Sequence, residues 1–167
     1  MAMKKQALNR TMILLAATVL VATLMMITAS NVNAGDDPNF QIKKFGIDQN
    51  DEPFLTVEGK AGGTTTDEPN KGFAYVLDTD AGIFAVASHN FEDSTEVKDD
   101  VDWHAHKIKL DSDSCITSLK EKGDALLRGD KVSVENIDQV SKVKGALTVS
   151  LEKADGKVCA TVIDSKP

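Results

Sequence analysis

Long apolar runs are nearly absent from this chain. One occurs, Thr11 to Ile27, and nothing comparable follows it in the remainder of the 167 residues. A second helical membrane span is thereby excluded, because a bilayer core of about 30 Å requires roughly 20 apolar residues. Aromatic side chains are scarce, at one Trp, one Tyr and six Phe, which argues against a broad stacking platform for sugars or single-stranded nucleic acid. Only two cysteines are present and they form no C-x-x-C, so a thioredoxin-like redox centre is not expected. No G-x-S-x-G elbow appears. Gly59 to Gly63 (GKAGG) with Thr64-Thr65-Thr66 lacks the G-K-[ST] ending of a phosphate loop. Asp78-Thr79-Asp80, Asp111-Ser112-Asp113 and Asp48 to Glu52 do not complete a calcium loop and read as acidic turns. The 26 acidic residues scatter without a spacing that picks out a catalytic pair.

What is present begins with an export pattern. Lys4, Lys5 and Arg10 form a basic lead, Thr11 to Ile27 an uncharged apolar stretch, and Val32-Asn33-Ala34 a small-residue site. This predicts a signal peptide over residues 1–34 with cleavage before Gly35, or, if uncut, a retained anchor. The expected location is secreted or extracytoplasmic, or tethered to the outer face of the membrane. Residues 1–34 carry three basic and no acidic residues, so their removal takes the net charge from −7 to −10. Such a surface repels phosphate backbones, and no nucleic-acid partner is expected.

Residues 35–52 read as a flexible lead-in with room for an edge strand, and 53–167 as a single β-domain. Short β-branched and aromatic runs alternate with turn signals such as Asp78 to Gly82, Gly129-Asp130 and Asp155-Gly156. About eight short strands at this spacing predict an all-β fold, an antiparallel sandwich or barrel. One helical turn is expected within Asp138 to Lys144. Cys115 and Cys159 sit in similar settings, LDSDSCIT and LEKADGKVCAT, each at the start of a strand-like run after an acidic turn. In an oxidising compartment they are expected to pair as a structural disulfide.

All three histidines, His89, His104 and His106, fall within 18 residues. Residues two apart on a strand share a face, so His104 and His106 point the same way, in line with Ile108 and Leu110. Lys107 and Lys109 mark the opposite face, with Ala105, as the solvent side, and Trp103 on that face is expected to be packed or half exposed. His89 ends the preceding strand, and antiparallel pairing would bring it to the H-x-H. Three imidazoles beside an acidic loop suit Zn²⁺ or Cu²⁺, with water, Glu92, Asp93 or Asp102 as fourth ligand or ring-orienting acceptor. The same residues also describe histidines capping the core edge through loop carboxylates, or an ionic cluster that titrates near neutrality.

Ala74-Tyr75-Val76, Ser88-His89, Glu92-Asp93-Ser94, Trp103 to Lys107 and the two Cys-x-Thr hairpins together resemble small exported β-rich proteins of ammonia-oxidising archaea. The resemblance spans much of Gly59 to Ile163. It implies a copper-rich extracellular setting and carries no catalytic residues. Three functions remain open on the sequence. The first is an exported Cu or Zn carrier or scavenger, more binder than enzyme. The second is a disulfide-stapled surface module for a cell-envelope protein or polymer, and the third a metal-dependent enzyme such as a superoxide-handling protein.

Overall fold

The computed structural model describes residues 33–91, 102–137 and 139–167; the leader, Glu92, Asp93 and Asp138 lie outside the described residues. Among the described residues no helix is long and apolar enough to cross a membrane. The fold is all-β, with ten strands in two antiparallel sheets. The smaller sheet has the order β1 (Ile42–Ile47), β2 (Pro53–Val57), β8 (Lys131–Glu135) and β7 (Asp124–Arg128). The larger runs β10 (Lys157–Lys166), β9 (Val143–Ala154), β3 (Lys71–Thr79), β4 (Gly82–His89), β5 (His104–Leu110) and β6 (Ile116–Glu121).

Local chemistry accounts for the hairpins. Asp155 and Gly156 both adopt positive φ, at 52° and 75°, the pairing that a two-residue turn with the twist of its strands demands. Strand alternation then sorts side chains between two apolar clusters. Leu55, Val57, Val132 and Val134 from the small sheet meet Tyr75, Leu77, Phe84, Val86 and Ala105 from the large one, as in a sandwich. Ala74, Val76, Ala85, Ala87, Ile108, Val149 and Leu151 form a second cluster on the other face of the six-stranded sheet.

A sheet that is apolar on both faces needs cover on both, and the larger sheet supplies its own by curling. Its outer strands β6 and β10 approach each other, Ala160 N–H donates to Ser114 O at 3.0 Å, and Cys115 pairs with Cys159 across the seam. The disulfide closes that seam with an S–S distance of 1.97 Å. The structure therefore combines both expected architectures, a rolled six-stranded sheet with a four-stranded sheet packed on its outside. A barrel of so few strands is narrow, which suits the small Ala74, Ala85 and Ala87 that share its inward positions on β3 and β4 with Val76 and Ile83.

Three expectations change. Residues 35–52 carry β1, the edge strand for which the sequence left room, but Phe40 and Ile42 are buried in the inter-sheet core, so the stretch is packed and not a flexible lead-in. The described part of Asp138 to Lys144 forms no helical turn; Val143 already begins β9. Ala105 does not face solvent, whereas Trp103 is half-buried, as expected of it. Ala105 is buried and Trp103 packs against the inter-sheet core, because the four-stranded sheet covers that side of β5 near its start.

Candidate metal centre

Strands β4 and β5 pair antiparallel, with Ala87 opposite His104 and Ala85 opposite His106. This register carries His89, at the end of β4, to the start of β5. All three imidazoles then project on the face that bears Ala85, Ala87 and Ile108, the inner face of the rolled sheet. The small alanines leave the space that the rings occupy. His89 and His106 are buried, at 3% and 2% exposure, and His104 is half-buried.

The rings converge. One nitrogen from each histidine lies within 4.8 Å of those of the others, and no other described group of three His, Cys, Asp or Glu residues is so arranged. His104 Nε2 and His89 Nε2 are 3.1 Å apart. Two nitrogens bound tetrahedrally to one zinc at about 2.0–2.1 Å would stand about 3.3–3.4 Å apart, so this pair already has nearly the required spacing. His104 Nδ1 lies 2.8 Å from the main-chain oxygen of Asp102. A carbonyl only accepts, so Nδ1 carries the proton and Nε2 presents its lone pair to the cluster. Metal-ligating histidines are commonly oriented in this way. The residues present therefore fit a metal of the Zn²⁺ or Cu²⁺ type.

The expected ligands divide accordingly. His89, His104 and His106 are brought together. Asp102 is exposed and enters the site through its carbonyl rather than as a member of the converging group. Glu92 and Asp93 fall outside the described residues.

Other residues shape the site without having been expected to. Gly72 is paired with His89 across β3 and β4. A Cβ placed on Gly72 would fall 2.6 Å from His89 Cβ and 2.7 Å from Ser88 O, so only glycine lets the strands approach here. Phe91 stacks on His89 with ring centroids 4.2 Å apart and planes at 10°. Glu121 stands opposite His106 on β6, which places a carboxylate position on the same face of the sheet. A glycine just inside a strand was the one available signal for Gly72; cross-strand neighbours such as Glu121 depend on register that the sequence does not display.

Beneath the start of β5, Trp103 lies against Tyr75 with centroids 4.9 Å apart. The Tyr75 hydroxyl donates to Asn39 O at 3.0 Å and accepts from Gly62 N–H at 2.9 Å. Burial pushes its pKa up to about 12. This pinned ring holds Trp103, the residue before His104, against the inter-sheet core.

No protein-family model matches the chain, and no curated protein or solved structure does so either.

Proposed function

We propose that this protein is an exported metal-binding β-domain that holds one Cu²⁺ or Zn²⁺ ion on His89, His104 and His106. The observation that carries the reading is the convergence of three imidazole nitrogens within 4.8 Å on the inner face of the rolled sheet. Support for export comes from the Cys115–Cys159 disulfide, a bond that persists in oxidising compartments. Carriage or scavenging is favoured over catalysis by the burial of His89 and His106, which leaves little room for a substrate beside the ion. Copper is favoured over zinc by its higher intrinsic affinity for nitrogen ligands, and the resemblance to exported archaeal proteins points the same way. If the fourth position proves open to solvent, a superoxide-handling activity becomes the next possibility to assay.

A second reading has its own support. The 3.1 Å separation of His104 Nε2 and His89 Nε2 also suits a hydrogen bond, and His89 stacks on Phe91. On that reading the histidines are structural, and the domain serves as a disulfide-stapled interaction module of the cell envelope. Titrating the purified chain with Cu²⁺ and Zn²⁺, beside a His104→Ala/His106→Ala variant, separates the two. The metal reading predicts one tight equivalent for the parent and none for the variant. Equal weak uptake by both would make the cluster structural.

A further inference from the structure

The outer face of the four-stranded sheet, remote in sequence from the histidines, carries a cleft of about 110 Å³. At roughly 10–15 Å³ for each water-sized occupant, it has room for a molecule of about seven non-hydrogen atoms. Because Val132 and Val134 point into the inter-sheet core, Lys131, Ser133 and Glu135 point outward. Across β7 the register sets Asp124 opposite Glu135, Leu126 opposite Ser133 and Arg128 opposite Lys131. The register thus sets Asp124 and Glu135 at one end of the face and Arg128 at the other, with Leu126 and Ser133 between them, while the Lys131 side chain reaches back to Asp48.

The pairing of these charges is uneven. Lys131 leans along the sheet to Asp48, its Nζ 2.6 Å from Oδ2, and so neutralises that carboxylate. Among the described residues no ion pair engages Glu52, Glu135 or Arg128, although all three line the cleft. Burial, then the nearby charges of Glu135 and Asp48, push the Glu52 carboxyl above its usual range, and the charges of Lys131 and Arg128 offset this only in part. On the cleft floor Ser133 is fully buried and its Oγ has no hydrogen-bond partner. Buried hydroxyls are nearly always satisfied, and one that is not calls for a missing partner.

We propose that this cleft binds a small zwitterion of the α-amino-acid type. Its ammonium sits between Glu52 and Glu135, its carboxylate on Arg128, and its polar centre over the Ser133 hydroxyl, with a short side chain against Leu126. Two unpaired carboxylates and one unpaired guanidinium match one ammonium and one carboxylate with a single negative charge left over, whereas an amine or an acid alone would satisfy only half the cleft.

The test follows backbone amide shifts of the ¹⁵N-labelled chain during titration with L-alanine, ethylamine or acetate. The expected result is saturable shifts at Ser133, Leu126 and Glu135 with alanine at millimolar concentration, and at least tenfold weaker binding of ethylamine and acetate. Arg128→Gln and Glu135→Gln, both at positions that keep contact with solvent, should each weaken alanine binding at least tenfold while the remaining amide spectrum stays in place. His104→Ala/His106→Ala should leave it unchanged. Alanine shifts no larger than those of the single-group probes, or unaltered binding in both cleft variants, would overturn the proposal.

Discussion

The rolled sheet should depend on its seam, and the cost of opening that seam follows from the chain. Cys115 and Cys159 are 44 residues apart in sequence. A cross-link closing a loop of that length removes about 4 kcal/mol of unfolded-state entropy in the loop-closure model, within a usual range of about 2–4 kcal/mol. Folded contacts at the seam are few by comparison. Beside the disulfide, the bond from Ala160 N–H to Ser114 O joins the two edges, worth about 1 kcal/mol net. Replacing both cysteines by alanine should therefore lower stability by about 2–4 kcal/mol. For a domain of this size that corresponds to a fall in Tm of roughly 7–14 °C. Thermal and urea unfolding of metal-free parent and variant, followed by far-UV circular dichroism, measure it. The variant should also expose the inner cluster around Val149, Leu151 and Val158 and bind a hydrophobic dye below its Tm. A Tm change under about 3 °C with no dye binding would refute the reasoning, since the sheet would then close without its staple.

Further consequences attach to individual residues. Gly72→Ala should push β3 from β4 at His89, destabilise the fold by about 1–3 kcal/mol as overpacked sites do, and weaken metal binding at least tenfold in a calorimetric titration; unchanged metal affinity would separate Gly72 from the site. Tyr75 is the sole tyrosine, so tyrosinate absorbance reports on it alone. Its folded pKa of about 12 exceeds the unfolded value of about 10. The folded state thus holds the proton longer, and this contribution is intact below pH 10 and is lost as pH rises from about 10 to 12. Tyrosinate should form near pH 12 in the folded chain and near pH 10 in urea, and coincident midpoints would contradict the burial argument. Asp48 is shifted the other way, chiefly by the hydrogen bond from Lys131. Its contribution should be present above about pH 4 and fade as pH falls through the lowered folded value, and Asp48→Asn should flatten the acid limb of a stability-versus-pH curve.

Much of the fold was legible because it is local. Asp155-Gly156 announces its hairpin, and the two-residue alternation through His104, His106, Ile108 and Leu110 correctly assigns those side chains to one face. The nearness of His89 followed from supposing that β4 and β5 pair across a single loop. The other face of β5 was misread for a reason that local pattern cannot correct. Lys107 and Lys109 look like a solvent stripe, yet Trp103 and Ala105 on the same face lie under a second sheet built from β1, β2, β7 and β8, distant in sequence. The rolling of the larger sheet was equally hidden. It rests on the meeting of β6 and β10, and only the cysteine pair hinted that those segments were neighbours. Phe40 and Ile42 sit in a polar stretch whose isolated apolar residues gave too little periodicity to mark it as core.

The central claim is that the three imidazoles are ligands for one ion. The chain has three histidines, so their ring nitrogens can be resolved in a long-range ¹H–¹⁵N correlation spectrum, recorded before and after one equivalent of Zn²⁺. All three rings should shift together and saturate at one equivalent, with His104 binding through Nε2 and keeping its Nδ1 proton on the Asp102 carbonyl. Ring signals that stay in place while zinc is present, or that shift only gradually at large excess, would contradict the claim and leave the cluster as a hydrogen-bonded element of the fold.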